Sequence, residues 1–190
     1  MESKHYEIRF GGSGGQGMML MGDVMAQAAG IIEGKQILLV KSYGPESRGG
    51  ACRSELITDV EPINYPIVKK PDFVLAMTQL SCDKYHLDMN KEGVLLVDSD
   101  LVKQIPATIK HVYKMPLTKI AVEVTGKAIA ANVVALGAIS VLGACAGGEA
   151  ILQAVLNRFP VKLHEMNKKA FTAGAKAAEI ILRRVAYEHT

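Results

Sequence analysis

The first thirty residues change from an alternating to a helical hydrophobic pattern. Apolar and polar side chains alternate over residues 6–10, which predicts a β-strand with Glu7 and Arg9 on its polar face. Apolar residues at residues 18–29 recur at three- and four-residue intervals, which predicts a helix. The glycine-rich residues 11–17 between these two elements predict a loop that joins a strand to a helix N-terminus.

Strand-like and helix-like segments alternate over most of the remaining chain. Short apolar runs predict further strands at residues 36–42, 52–58, 73–77, 93–98 and 111–115. Helical patterns cover residues 79–89, 118–125, 128–146, 149–158 and 163–184. The second and third strands are too close in sequence for a crossover helix, so we expect them to be antiparallel. These patterns predict an α/β fold, a three-layer αβα sandwich with a mixed, mostly parallel sheet and a helical C-terminal part, in a single domain of residues 1–190.

Composition narrows the class of protein. Apolar residues make up 49% of the 190 residues, which is enough for a sizeable core, and the formal charge is only +3. Aromatic residues are 5% and tryptophan is absent, so neither charge nor base stacking indicates nucleic-acid binding. Residues 128–146 have the length of a membrane span but no flanking aromatic or basic anchors. We therefore expect a helix buried within the protein or at a subunit contact, and no membrane.

The cysteines and the N-terminus indicate a cytoplasmic protein. Cys52, Cys82 and Cys145 are far apart and form no C-x-x-C motif, so we expect reduced thiols and no zinc or iron–sulfur site within this chain. The first residues lack the apolar core of a signal peptide. We also find no nucleophile–base pattern among the five scattered histidines, and we expect no catalytic residue. Asp98, at a strand end, is as well explained by capping or turn formation.

The glycine-rich loop is the strongest candidate binding element. It satisfies G-x-G-x-x-G between a strand and a helix, where backbone N–H groups and the helix dipole attract phosphate. The candidate ligand-binding residues are Gly12, Ser13, Gly14, Gly15, Gln16 and Gly17. The alternative is a tight turn whose glycines serve only packing. A dinucleotide fold also places a carboxylate at the end of the second strand, and Lys41 and Ser42 stand there instead, which counts against NAD.

Three further residues are candidates for ligand contact. Lys41 is a basic residue that suits a phosphate such as that of NADP. Arg48 is flanked by small residues, so its guanidinium is free to bind a phosphate or carboxylate in a bidentate manner, or to pair with Glu46. Asn132 lies in an otherwise apolar helix, and its amide needs a partner, which is either the glycine loop or a ligand.

Three motifs carry a family resemblance that covers almost the whole chain. They read GSGGQG at residues 12–17, SYGPESRGG at residues 42–50 and ANVVALG at residues 131–137. In this order they resemble the signatures of the gamma subunits of 2-oxoacid:ferredoxin oxidoreductases. The tyrosine–glycine–proline version of the second motif is more similar to the 2-oxoglutarate and branched-chain enzymes than to the indolepyruvate ones.

The resemblance implies a role that the residues alone do not reveal. Members of this family oxidatively decarboxylate a 2-oxoacid on thiamine diphosphate, pass electrons through 4Fe–4S clusters to ferredoxin and release an acyl-CoA. The resemblance places thiamine and the clusters in alpha and beta partner subunits, with a delta subunit as a further candidate. It makes the gamma chain a noncatalytic subunit, inactive by itself, that helps to bind coenzyme A through residues such as those of the glycine loop, Lys41, Arg48 and Asn132.

Two hypotheses of other classes remain open at this point. One is a stand-alone NADP-binding reductase on a Rossmann-type fold, and the other is a module that senses a nucleotide without catalysis. The absent strand-end carboxylate and the antiparallel second and third strands favour the gamma subunit over the reductase. The apolar helices at residues 18–29 and 128–146 also lead us to expect self-association of the isolated chain.

Overall fold

A six-stranded mixed sheet forms the centre of the molecule. The computed structural model describes residues 5–42, 51–143 and 145–188, with side chains described as far as residue 185. The strands are β1 (His5–Ser13), β2 (Gln36–Ser42), β3 (Ala51–Asp59), β4 (Phe73–Ala76), β5 (Val94–Asp98) and β6 (His111–Met115). Their order across the sheet is β2-β3-β1-β4-β5-β6. Strands β1, β4, β5 and β6 are parallel, and β3 is antiparallel to both β1 and β2.

The helices form two layers of unequal thickness. They are α1 (Met18–Ala26), α2 (Gln79–Tyr85), α3 (Leu117–Thr125), α4 (Ala131–Leu142), α5 (Gly148–Arg158) and α6 (His164–Glu188). A π-helical turn, Gln27–Ile32, continues α1, and 3₁₀ turns precede α4 and α6. One face of the sheet packs against α1 and the C-terminal helices, and the other packs against α2. The predicted three-layer αβα sandwich with a mixed sheet and a helical C-terminal part is therefore confirmed.

The predicted polar face of β1 is buried, although the alternation predicted a strand with one polar side. Ile8 and Phe10 enter the large core, whereas Glu7 and Arg9 point to the α2 side and are only 8% and 3% exposed. These charges are satisfied inside the protein: two backbone N–H groups donate to Glu7, and Arg9 donates to Glu55 at 2.6 Å. A strand with buried charges can therefore occupy the centre of the sheet, because each charge has hydrogen-bond partners.

The apolar segment 128–146 lies in the core, but it does not form one continuous helix. It contains a 3₁₀ turn and α4, and α4 ends at Leu142 because Gly143 has a φ of 126°. Residues 131–139 are all buried, chiefly against α6 and the large core. Of the two explanations offered by the sequence, the structure supports a helix buried within this chain. In the described part of the chain, no helix combines the length and apolar character that crossing a bilayer would need.

Strand β2 lies at the edge of the sheet, although its run of apolar residues is typical of a buried strand. Strand β3 lies between β1 and β2, so β2 is an edge strand and its apolar residues, including Ile37 and Leu39, are partly exposed rather than buried. The predicted antiparallel pairing of β2 with β3 is confirmed. As a result β1 and β2 run in the same direction, and both end at the same edge of the sheet.

Candidate functional site

The glycine-rich segment is partly strand and partly turn. Strand β1 continues through Gly12 and Ser13, which pair with Cys52 and Ala51 of β3, so the predicted loop of residues 11–17 begins later than its composition suggested. Gly11 is needed inside the strand, because a Cβ there would lie 2.5 Å from a ring carbon of Tyr85. Only residues 14–17 form the turn into α1, and we call them the glycine turn.

The glycine turn combines a left-handed backbone with an open outer surface. Gly15 and Gly17 have φ values of 90° and 82°, which other residues rarely adopt. A Cβ at Gly14 or Gly15 would meet no atom within 4 Å, and both residues are exposed. Gly17 caps α1 without a side-chain hydrogen bond, so it leaves the first N–H groups of the helix uncapped. This arrangement can accept an anion close to the backbone.

Gln16 fastens the glycine turn to the sheet. Its Oε1 accepts a hydrogen bond from the Ser13 backbone N–H at 2.7 Å, and its Nε2 donates to the Met77 carbonyl at 3.3 Å. The Met77 N–H in turn donates to the Gly11 carbonyl at 2.9 Å. Gln16 is a predicted binding residue, but both ends of its amide are engaged within the chain. In this structure it positions the glycine turn against the end of β4.

Asn132 lies directly behind the glycine turn. A Cβ at Gly17 would lie 2.2 Å from Asn132 Nδ2, so the amide packs on the glycine backbone. Asn132 is 4% exposed and belongs to the first turn of α4. The structure thus brings together two predicted residues that are 115 positions apart in sequence. A side chain at position 17 would displace Asn132, which explains the need for glycine there.

A cleft opens beside the glycine turn where the parallel strands end. Its volume is about 260 Å³, and its walls are mostly apolar; they comprise Gly15, Gln16, Met77, Leu101, Thr118, Ala128, Ile129 and Ala131. A larger shallow groove of about 520 Å³ lies along α6, but no predicted residue lines it. The cleft is therefore the cavity that the glycine turn borders, at the sheet edge where α/β proteins usually bind ligands.

Asp98 has a structural role at this edge. Its side chain is fully buried, and its carboxylate accepts hydrogen bonds from the backbone N–H groups of Thr118 at 2.9 Å and Asp100 at 3.1 Å. It thereby satisfies a first-turn N–H of α3 and shapes the turn after β5. This arrangement matches the capping and turn explanation offered by the sequence.

The two predicted basic residues are not equally placed. Lys41 lies near the end of β2 and pairs with Asp23 of α1 at 2.5 Å, so part of its charge is already compensated. Arg48 lies outside the described residues, as does most of the second motif. The ends of that segment are described: Ser42 pairs with Arg53 of β3, and Ala51 pairs with Ser13 of β1. Ser42 and Ala51, which flank this segment, both lie at the edge of the sheet that carries the glycine turn.

Arg53 is a cation at this edge that the sequence analysis missed. It pairs with Gly11 in the register of β1 and β3, and its guanidinium carbon lies 5.9 Å from the centre of the Tyr85 ring. Burial raises the pKa of Tyr85, and the charge of Arg53 opposes that rise. No spacing signal marks Arg53, because its neighbour Tyr85 comes from a helix 32 residues later.

The chain is similar to known proteins over most of its length. The family model for pyruvate ferredoxin/flavodoxin oxidoreductase matches residues 7–177. The 2-oxoglutarate synthase subunit KorC of Methanocaldococcus jannaschii is 41% identical over 175 residues, which cover 91% of this chain and 94% of that one.

Two solved structures share the fold. The gamma subunit of a keto/oxoacid ferredoxin oxidoreductase from Geobacter sulfurreducens is 44% identical with a TM-score of 0.86, and the match covers 94% of this chain and 98% of that chain. The 2-oxoglutarate:ferredoxin oxidoreductase of Magnetococcus marinus, with 2-oxoglutarate, coenzyme A and succinyl-CoA bound, is 22% identical with a TM-score of 0.83. That match covers 94% of this chain and 32% of the longer chain, and it supports the fold alone.

The predicted motifs, the mixed sheet and the matched relatives agree with one another. The family match favours a gamma subunit over a stand-alone reductase as the explanation of the glycine-rich segment. The chain belongs to the pyruvate ferredoxin/flavodoxin oxidoreductase family, and it is a gamma-type subunit of a 2-oxoacid:ferredoxin oxidoreductase.

Proposed function

We propose that this chain is the gamma subunit of a 2-oxoglutarate:ferredoxin oxidoreductase and that its glycine turn holds part of coenzyme A. The observation that carries the proposal is the open, left-handed turn at residues 14–17, beside a cleft at the carboxyl edge of the sheet. The similarity to KorC supports 2-oxoglutarate as the substrate. The choice of coenzyme A follows the Magnetococcus marinus enzyme, a structure with coenzyme A bound in which this fold makes up 32% of the longer chain.

The geometry of the glycine turn suits coenzyme A. Coenzyme A carries several phosphate charges, and a glycine backbone next to uncapped N–H groups lets a phosphate approach closely. The mostly apolar cleft suits the less polar part of the ligand. In this proposal Gly14, Gly15 and Gly17 contact the ligand, whereas Gln16 and Asn132 support the turn from behind.

The proposal assigns the remaining chemistry to partner subunits. Bound in those subunits, thiamine diphosphate supplies decarboxylation and 4Fe–4S clusters carry the electrons to ferredoxin. The alpha and beta subunits, and a delta subunit where there is one, are the proposed partners in a cytoplasmic complex. Within the described ranges no three His, Cys, Asp or Glu residues are grouped to hold a metal. The gamma chain acts in this scheme by binding and orienting coenzyme A.

The basic residues near this edge complete the proposal. Arg48 stays a predicted contact, because its segment begins at Ser42 and ends at Ala51, which pairs with Ser13 at the edge that carries the glycine turn. A charge-assisted hydrogen bond from Arg48 to a phosphate would contribute about 1.5–3 kcal/mol. Lys41 is a weaker candidate, since it must share its charge with Asp23.

Two valine substitutions test the glycine turn in the assembled enzyme. Gly14 is not among the glycines with positive φ, so Gly14→Val adds bulk at an open site without backbone strain. Gly15→Val adds the same bulk with a strain of about 1–2 kcal/mol. Gly34→Val is the matched control, because Gly34 has a φ of 73° and open surroundings but precedes β2 at the opposite edge.

The expected result is a separation of the two half-reactions. Gly14→Val and Gly15→Val should raise the apparent KM for coenzyme A at least tenfold, while carbon dioxide exchange without coenzyme A continues. Gly34→Val should leave both unchanged. If the two turn variants bind coenzyme A normally in an intact complex, the glycine turn serves packing only. Comparing 2-oxoglutarate with branched-chain 2-oxoacids as substrates of the wild-type complex tests the substrate assignment.

A further inference from the structure

Arg53 has the surroundings of a binding residue rather than of a satisfied structural ion pair. It lies near the start of β3, opposite Gly11 of β1 and Ser42 of β2. Gly11 is two residues before Ser13, where β1 ends, so Arg53 lies about 7 Å along the strand from Ser13, the last residue before the glycine turn. Its side chain is 37% exposed, so part of it is open to solvent.

Glu55, the carboxylate that lies beside Arg53, is already engaged by another arginine. Arg9 donates from Nε to Glu55 at 2.6 Å and binds Asp88 through both terminal nitrogens, one of them at 3.0 Å. Arg53 Nε lies 3.4 Å from the other oxygen of Glu55, and this contact lacks hydrogen-bond geometry. That Nε is buried and has no hydrogen-bond partner among the described residues. Tyr85 supports the guanidinium from one side.

A buried donor without a partner is uncommon in a native protein and costs about 1–3 kcal/mol. A guanidinium carries five N–H donors in a rigid fork, so Arg53 retains donors that the engaged Glu55 does not saturate. The Arg53 guanidinium carbon lies 5.9 Å from the centre of the Tyr85 ring, which is a cation–π distance, and the fork itself suits bidentate recognition of a phosphate. Arg53 therefore has hydrogen-bond donors that an oxyanion at this sheet edge would satisfy.

We propose that Arg53 is a second phosphate-binding residue for the ligand held at the glycine turn. This inference rests on the proposed function, since it takes coenzyme A as that ligand. The glycine turn offers backbone N–H groups to one phosphate, and Arg53 offers a full positive charge to another. The several phosphates of coenzyme A make such division of contacts chemically reasonable, because uncharged N–H groups do not neutralise them all.

The test compares coenzyme A binding to the assembled enzyme by titration calorimetry. Arg53→Gln removes the charge and the fork, and Arg53→Lys keeps the charge alone. Lys84→Gln is the matched control, since the Lys84 ammonium lies 5.8 Å from the Tyr85 ring on the exposed part of α2. Size-exclusion chromatography and circular dichroism establish that each variant assembles and folds.

We expect Arg53→Gln to raise the Kd of coenzyme A about tenfold or more, as for the loss of a hydrogen bond to a charged group. Arg53→Lys should show a smaller increase, and Lys84→Gln should stay within about twofold of wild type. If Arg53→Gln binds coenzyme A with wild-type affinity while Gly15→Val loses affinity, the role of Arg53 is refuted and the proposed function stands. If the glutamine variant does not assemble, Arg53→Lys takes its place in this comparison. Wild-type affinity in both the Arg53 and the Gly15 variants removes the proposed function as well. If Arg53→Gln does not weaken the binding of 3′-dephospho-coenzyme A, the 3′-phosphate of coenzyme A is the partner of Arg53.

Discussion

Replacing Gln16 by methionine tests whether this residue holds the glycine turn or the ligand. Methionine has a similar length and volume but cannot accept from Ser13 N–H or donate to the Met77 carbonyl. Each hydrogen bond contributes about 0.5–1.5 kcal/mol net. The site is only half-buried and the Met77 contact is long, so we expect a loss of about 1–2 kcal/mol in the free energy of unfolding. For a chain of this size the melting temperature should fall by about 2–8 °C.

The functional effect should be smaller than that of a lost ligand contact. A looser turn must be ordered when coenzyme A binds, which costs about 0.5–1.5 kcal/mol and weakens affinity roughly 2- to 12-fold. Urea unfolding of the isolated chain gives the stability, and calorimetry on the assembled enzyme gives the affinity. Unchanged stability combined with a loss of affinity beyond about 30-fold would refute our interpretation, and Gln16 would then contact the ligand itself.

Gln16→Glu is the control for this experiment. Glutamate keeps the acceptor for Ser13 N–H, but its second oxygen faces the Met77 carbonyl and cannot donate when ionised. The Met77 carbonyl favours the protonated form, whereas Ser13 N–H favours the ionised form; if the Met77 contact dominates, the carboxyl pKa in the folded state lies above its unfolded value of about 4.3. Relative to wild type, the variant should lose stability as the pH rises through that folded pKa and recover as the pH falls. A stability difference that does not depend on pH would show that the Met77 contact does not outweigh the Ser13 hydrogen bond.

Two further predictions concern the core. In a urea titration, Gly174→Ala should destabilise the chain by about 3 kcal/mol or more, because the new Cβ would lie 1.9 Å from the Val134 carbonyl oxygen and would force α6 away from α4. Gly148→Ala is the control, and it should be neutral because its Cβ would make only ordinary contacts. Burial raises the pKa of Cys82 to about 11 and that of Cys145 to about 12. At pH 8 both thiols should therefore react with Ellman's reagent only as the chain unfolds. Rapid labelling of these cysteines in the native chain would contradict their burial.

Much of the sheet could be predicted from local sequence. The short gap after Ser42 indicated that β2 and β3 are antiparallel, and the pairing confirms it. The same local pattern could not show that β2 is an edge strand, because four consecutive apolar residues look alike at an edge and in a centre. That distinction depends on β3 inserting beside β1, which is a property of the whole sheet. The end of α4 at Gly143 was hidden for a similar reason, since the alanine-rich run continues past it.

The candidate site divides into residues that local chemistry reveals and residues that only packing reveals. The glycine turn was visible because strained backbone requires glycine, and Gly15 and Gly17 have positive φ. The supporting role of Gln16 was not visible, since its partner Met77 lies 61 residues away. Arg53 was missed because its interest depends on its contact with Tyr85 and on the hydrogen bond that Arg9 donates to Glu55. Neither contact can be seen in the spacing of residues along the sequence.

The buried charges of β1 connect the fold to the site. Arg9 and Glu55 are direct partners in the register of β1 and β3, and both are almost fully buried on the α2 side. A shift of β3 by one residue would turn Glu55 toward the large apolar core and leave Arg9 without a neighbouring carboxylate. Such a pair adds little net stability compared with apolar packing, but it penalises every other register. The same register sets Arg53 opposite Gly11 and Ala51 opposite Ser13, so the buried pair also fixes the positions of these two β3 residues along the strand that leads into the glycine turn.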